Sequence, residues 1–316
     1  MTTFTTPFGP RATAAEVLDN VDLTGRRMIV TGGASGLGTE TVRALAGAGA
    51  HVTIATRDPS RARGLLDEFP LTDAVPLDLA DLDSVRAFCD GWDGPVDALV
   101  ANAGVMALPT RQLTAQGWEM QLAINYLGHF ALVLGLHKAL RAAERPRVTV
   151  VSSGAQRRTG FDFDDPHFQR RAYDPMTAYA QSKTADVLLA VGISRRWTSD
   201  GIVANSCEPG WIHTNLIRHM DPATLIALGA MDEDGNLVSP DYYKTPEQGA
   251  ATTVLLAGSP LLEGVTGRHF EDNHEAKQVD GGGKGNPMSG VARWAVDPAA
   301  ADRLWDYALP VVRGHR

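Results

Sequence analysis

In the stretch Thr177-Ala178-Tyr179-Ala180-Gln181-Ser182-Lys183 a phenol and an ammonium stand four residues apart in a run that reads as helix, which puts both on one face. A tyrosine at its reference pKa of about 10 is a poor acid–base group at neutral pH, but a lysine cation fixed beside it favours the phenolate and makes the proton easier to move. The same spacing occurs on many solvated helices. The pair therefore takes its meaning from what precedes it in the chain.

The elements that would position such a pair begin at Arg27-Met28-Ile29-Val30, a buried-type strand running into Thr31-Gly32-Gly33-Ala34-Ser35-Gly36-Leu37-Gly38. Thr41, Leu45 and the alanine-rich run to Ala48 then read as helix. Strand, glycine turn and helix in this order let backbone N–H groups and a helix N-terminus approach a pyrophosphate. A second strand, His51-Val52-Thr53-Ile54-Ala55-Thr56, ends in Arg57-Asp58. A carboxylate there would accept the ribose 2′-hydroxyl of NAD, whereas a guanidinium suits a 2′-phosphate, so NADP(H) is favoured and NAD(H) stays possible. Arg57 also reads as a solvated loop cation and Asp58 as the cap of a helix opening at Pro59, and both readings can hold at once.

Strand and helix keep alternating through Ala74-Val75-Pro76-Leu77, a helix over 81–89 and Ala98-Leu99-Val100-Ala101. This pattern predicts an α/β fold, a Rossmann-type doubly wound parallel sheet of about seven strands with helices on both faces. Asp78, followed by Leu79, sits where it could receive an adenine edge or cap a strand end. Asn102-Ala103-Gly104 closes the fourth strand with residues small enough to leave room for a cofactor. A long helical pattern over 113–141 carries Asn125, with Leu127, Phe130, Leu134 and Leu136 as core.

The 316 residues are 44% hydrophobic and carry a net charge of −8 with a pI near 5.6. That balance gives no basic footprint for nucleic acid or an anionic membrane, so small molecules are the expected partners. Cys89 and Cys207 form no metal or disulfide pattern, and no apolar run reaches the length of a membrane span. A soluble cytoplasmic protein without membrane insertion is expected. The organisation expected is one domain over 1–316: an N-terminal arm (1–24), whose Thr13-Ala14-Ala15-Glu16 has capping-box spacing, a core (25–272) and a C-terminal extension (273–316).

A fifth strand, Val148-Thr149-Val150-Val151, delivers Ser152-Ser153, and the strand 202–207 ends at Glu208-Pro209-Gly210. The set Thr31-Gly32-x-x-x-Gly36-x-Gly38, Asn102-Ala103-Gly104, Asn125, Ser153, Tyr179-x-x-x-Lys183 and Glu208-Pro209-Gly210, taken in that order, resembles the short-chain dehydrogenase/reductase superfamily over residues 23–270. The runs Asn125-Tyr126-Leu127-Gly128-His129-Phe130, Ser152-Ser153-Gly154 and Lys244-Thr245-Pro246-Glu247-Gln248-Gly249-Ala250 look like its retinol dehydrogenase, WW-domain oxidoreductase and protochlorophyllide reductase branch.

The resemblance implies a carbonyl/alcohol oxidoreductase acting on a lipophilic or polycyclic small molecule. It implies that Ser153 hydrogen-bonds the substrate oxygen, that Tyr179 gives or takes its proton, and that Lys183 biases the tyrosine and holds the nicotinamide ribose. Asn125 would anchor a water behind Lys183. Thr31, Gly32, Ser35, Gly36, Leu37 and Gly38 would line the cofactor with Arg57, Asp78, Leu79, Asn102, Ala103 and Gly104, and Pro209, Gly210, Ile212 and Thr214 would meet its nicotinamide half. A homodimer or homotetramer is possible, with the tail helix able to cover the usual interface. The 26 positions from Ser153 to Tyr179 hold an inserted loop, which leaves Ser152 as a competitor to Ser153. A carbon–carbon double-bond reductase or a non-catalytic NADP(H)-binding regulator on the same fold are the alternatives.

Residues 211–244 are expected to form a substrate lid, with Trp211, Ile212, Leu216 and Ile217 either facing the pocket or packing within a small helix pair. His269, Asp272, His274 and Glu275 lack a metal-ligand spacing, and no metal is expected. Asp280-Gly281-Gly282-Gly283-Lys284-Gly285 lacks the phosphate-loop frame and reads as a loop. Asp297-Pro298 opens a helix containing Leu304, Trp305 and Leu309.

Overall fold

Central strands of a sheet covered on both faces must be apolar along their whole length, and the short apolar runs of this chain fold accordingly. The computed structural model describes residues 3–214, 216, 220, 222–227, 229–282 and 288–314. A capped turn of helix, α1 (Ala14–Val17), opens on Thr13, whose hydroxyl accepts from the Glu16 amide in the expected capping box. Then β1 (Arg27–Thr31), α2 (Leu37–Gly47), β2 (His51–Thr56), α3 (Arg63–Glu68), β3 (Thr72–Pro76), α4 (Leu82–Asp90) and β4 (Ala98–Ala101) alternate. They are followed by α5 (Met120–Leu122), a π-turn (Ala123–Leu127), α6 (Gly128–Gly135), α7 (His137–Arg141) and β5 (Arg147–Val151). The long helix α8 (Pro175–Trp197) leads to β6 (Val203–Glu208), α9 (Pro222–Ala227) and α10 (Pro246–Gly258). Last come β7 (His269–Glu271), β8 (His274–Glu275), β9 (Gln278–Val279), β10 (Val291–Ala292) and α11 (Pro298–Arg313).

The main sheet has the order β3-β2-β1-β4-β5-β6-β7-β8. Seven strands are parallel, as expected, and β8 adds an antiparallel edge through Phe270–Glu275 pairing; β9 and β10 pair separately. The chain winds outward from β1 to β3 and returns to β4 on the other side, so the carboxyl ends of β1 and β4 flank the switch point. Two buried apolar layers sandwich the sheet. One joins it to α1, α2 and α10 through Val42, Leu45, Val254 and Leu255, the other to α4, α6, α8 and α11 through Phe88, Phe130, Leu188 and Trp305.

Caps and prolines start the helices where the chain needs them. Asp174 accepts from the Thr177 amide ahead of Pro175, Thr245 from Gln248 ahead of Pro246, and Asp297 from Ala299 ahead of Pro298. The helix expected over 113–141 is shorter and broken. Leu113 bridges Glu119 across a turn containing Gly117, and the Glu119 carboxylate caps the amides of Gln121 and Leu122, so helix begins only at Met120. The two ends of the chain are tied in. The Phe4 amide donates to Glu275 Oε2 at 2.7 Å across 271 residues, and Arg11 donates to the carbonyls of Asp241 and Tyr243. At the other end α11 lies along α8, with Trp305 edge-on to Phe130 and Asp302 paired to Arg195 and Arg196.

Candidate active site and cofactor cleft

The carboxyl ends of the central strands open into a cleft of about 1180 Å³. At its phosphate end Gly36 has φ +55°, a conformation L side chains rarely adopt, and α2 begins at the next residue with no side chain capping its first amides. Among these amides that of Thr39 donates to the Gly36 carbonyl at 3.1 Å, which leaves those of Leu37 and Gly38 for an anion. A Cβ at Gly38 would lie 2.3 Å from the Gly32 carbonyl oxygen and 2.8 Å from Asn102 Nδ2, so only glycine lets these segments meet. The cradle fits a dinucleotide pyrophosphate, with Gly32, Ser35, Leu37, Asn102, Ala103 and Gly104 also on its wall. Thr214 hangs over it: a Cβ at Gly36 would lie 3.7 Å from Thr214 Cβ.

Thr31 is not on that wall. Fully buried beneath it, its hydroxyl accepts from the amides of Asn102 at 2.9 Å and Ala103 at 3.0 Å, and so sets the shape of the wall. At the far end Thr56, Arg57, Asp58 and Arg61 line the cleft, and neither guanidinium has a hydrogen-bond or ion-pair partner among the described residues. Asp58 caps the turn at Pro59 by accepting from the Ser60 amide at 3.1 Å, so its cap role is filled. Asp78 accepts from the Ala80 amide at 2.9 Å and still borders the cleft beside Leu77 and Leu79.

At the other end α8 brings Tyr179 and Lys183 to the floor, where β5 delivers Ser153. The Tyr179 phenol lies within reach of the Ser153 hydroxyl. Burial pushes the phenol pKa above its ordinary value; Lys183 and the Ser153 hydroxyl pull it down, while Asp186 and Glu208 push it up. Lys183 Nζ donates to the Val151 carbonyl at 2.9 Å and to Asp186 Oδ2 at 2.8 Å. Ser152 plays a different part. Its hydroxyl donates to the Lys183 carbonyl at 2.7 Å and anchors α8 to β5, whereas Ser153 caps the short turn Gly154–Arg157.

Asn125 stands one layer behind the wall. In the π-turn, its side chain accepts from the Val105 amide at 2.9 Å and donates to the Val105 carbonyl and to Ser182 Oγ. A Cβ at Gly104 would lie 3.1 Å from Asn125 Oδ1 and 3.8 Å from Lys183 Nζ, so Gly104 is the spacer between the two. The Asn125 carbonyl accepts from His129 Nδ1 at 2.8 Å.

Toward solvent the cleft becomes apolar. Met106, Met176, Met220 and Met288 face it with Trp211, Leu216, Leu225 and Tyr243. Residues 211–244 are closed at their base by the Lys244 amide donating to the Trp211 carbonyl at 2.8 Å. Pro209, Gly210 and Ile212 line the cleft, and Ile212 also packs on Gly249 of α10. Ile217 lies outside the described residues.

Two features are not expected from the sequence. Arg157 and Glu208, both buried, pair at 2.8 Å under the floor, and Arg157 also donates to the carbonyls of Met288 and Gly290, which fixes the C-terminal segment to the site. Asp186, three residues after Lys183, is the other; an acid one turn past a lysine in an apolar run is its only signal. Of the residues weighed as metal ligands, His269 meets Ser206 Oγ at 2.9 Å, Asp272 pairs with Lys244 and Glu275 with Arg268. No helix among the described residues is long and apolar enough to cross a membrane.

The model of the short chain dehydrogenase family matches residues 26–224. A probable oxidoreductase of Streptomyces lividans is 62% identical over 91% of this chain and 97% of its own length. Human retinol dehydrogenase 14 is 33% identical over 91% and 86%. Among solved structures, Pseudomonas aeruginosa RhlG in an active-site complex with NADP superposes with a TM-score of 0.59 at 26% identity, covering 79% of this chain and 96% of that one.

Proposed function

The chain belongs to the short-chain dehydrogenase/reductase family, in its retinol dehydrogenase-like branch, and from that premise we propose that it interconverts a carbonyl and an alcohol on a lipophilic or polycyclic small molecule with NADP(H). The observation that carries the reading is the meeting of the Tyr179 phenol, the Ser153 hydroxyl and the Lys183 ammonium at the floor of a cleft whose outer walls are apolar. Bound at the glycine cradle, the cofactor supplies or accepts the hydride. Ser153 orients the substrate oxygen by donating to it, and Tyr179 passes its proton to that oxygen or takes it back. Lys183, held by Val151 and Asp186, would hold the nicotinamide ribose and biases the phenol. Four methionines on the outer wall suit bulky apolar substrates of varied outline, because the unbranched thioether adapts its shape. The free guanidinium groups of Arg57 and Arg61 favour a 2′-phosphate over a bare ribose.

The test is turnover of a panel of lipophilic aldehydes and ketones with NADPH, followed by loss of reduced-nicotinamide absorbance and identification of the alcohol. Tyr179→Phe should lower the rate by about 10²–10⁴ while still binding NADPH. A protein that binds NADPH, turns over none of the panel and is indifferent to Tyr179→Phe overturns the reading.

A further inference from the structure

Asp186 moves no proton in the steps above, yet it touches the group on which they depend. It lies on α8 one turn beyond Lys183, is 1% exposed, and places Oδ2 2.8 Å from Lys183 Nζ, while its Oδ1 is buried without a hydrogen-bond partner. Burying a carboxylate with half its acceptor capacity unmet is costly, and Nζ already has the Val151 carbonyl. The other ionisable groups around this pair come from several elements. Tyr179 shares the helix; β6 contributes Cys207 and Glu208, the latter paired with Arg157. The π-turn and α6 contribute Tyr126 and His129, and Tyr307 on α11 and Arg196 on α8 act on Tyr126. Among the described residues only Asp186 brings a negative charge within hydrogen-bonding distance of Nζ.

We propose that Asp186 is a positioning residue that acts through Lys183: its countercharge blunts the field of the ammonium at Tyr179, so that the phenol holds its proton more tightly than it would beside an unpaired lysine. The inference rests on the reading of Tyr179 as the proton-transfer group. The titration behaviour agrees in direction. Burial works against the Lys183 charge, but Asp186 and Tyr179 overcome it and hold the ammonium pKa above the ordinary lysine value. Burial lifts the Asp186 carboxyl to about 7 against the pull of Lys183, still below the lysine, so the shared proton sits on Nζ. With the carboxylate removed, the ammonium keeps the Val151 carbonyl and its opening to the cleft, and its full charge acts on Tyr179.

The experiment titrates the Tyr179 phenolate by its ultraviolet absorbance in the wild-type protein and in Asp186→Asn, each read as the difference from its own Tyr179→Phe partner, without cofactor and with saturating NADP. The midpoint should fall by about one pH unit in Asp186→Asn, the low end of what a charge a few ångströms away produces. The acid limb of the alcohol-oxidation profile should move the same way, with the substrate KM unchanged. A midpoint that stays put or rises overturns the proposal. The titration needs no turnover, so a lowered midpoint in a protein that reduces nothing upholds the role of Asp186 and sinks the reductase reading, and unshifted titration in an active enzyme does the reverse. If Asp186→Asn fails to fold by circular dichroism, Asp186→Thr, uncharged and no larger, carries the same expectation.

Discussion

The Thr31 hydroxyl lies 2.9 Å from Nε2 of His129. The Asn125 carbonyl can only accept, so Nδ1 carries a proton, while the Thr31 hydroxyl accepts from the amides of Asn102 and Ala103 and has Nε2 and, at 3.3 Å, the Val100 carbonyl within reach of its own proton. Burial holds the His129 pKa down to about 4, helped by the nearby Lys183 charge and opposed by the Asn125 hydrogen bond. The unfolded chain, titrating near 6.5, binds more protons between these values. Stability therefore falls as pH is lowered from 6.5 to 4, by up to about 3 kcal/mol from this residue. Urea midpoints across that range should show the slope in the wild type and a flatter one in His129→Gln.

Arg57 and Arg61 line the far end of the cleft without partners of their own among the described residues, so their removal leaves no internal charge stranded. A charge-assisted hydrogen bond contributes about 1.5–3 kcal/mol, which corresponds to a loss of about tenfold or more in NADPH affinity for Arg57→Ala. NADH binding should change little. Fluorescence titration with both cofactors makes the comparison, and equal losses would remove the 2′-phosphate assignment.

Gly38→Ala should disable the cradle. Its Cβ would stand 2.3 Å from the Gly32 carbonyl oxygen, backbone that cannot swing aside. Overpacking of this kind costs about 1–3 kcal/mol, and the displaced turn should lose dinucleotide binding altogether. Thermal melting with and without cofactor reads both effects: a lowered midpoint, and no rise on adding NADPH.

Trp305 closes the outer face of α8. It meets Phe130 at 4.8 Å and Trp197 at 5.5 Å edge-on, and the Arg196 guanidinium lies 4.7 Å from its ring. Trp305→Ala should cost about 3–5 kcal/mol by urea unfolding. Because α8 carries Tyr179 and Lys183, turnover should fall with it although the substitution is remote from the cleft.

The parts of this site that rest on local chemistry were legible in the sequence: the glycine turn between strand and helix, the Asp174-Pro175 and Thr245-Pro246 helix starts, and Tyr179 with Lys183 on one face. The parts that depend on what lies opposite were not. Helix α8 is buried nearly all round from Ala178 to Ile193, so nothing in its periodicity marks Asp186 as buried and paired. The Arg157–Glu208 pair joins residues 51 apart, and Thr31 looks like a cofactor contact until the hydrogen bonds it accepts are traced. The helical pattern over 113–141 was apolar enough, but the side-chain cap at Glu119 overrode it.

The Phe4–Glu275 hydrogen bond and the grip of Arg11 on Asp241 and Tyr243 join the N-terminal arm to segments that a ribosome delivers more than two hundred residues later. The apolar side of the arm can pack on α2 early, and the Leu23 amide reaches the Ala48 carbonyl, but its polar grip waits for these later segments. A nascent chain stopped short of residue 275 lacks the Phe4 hydrogen bond.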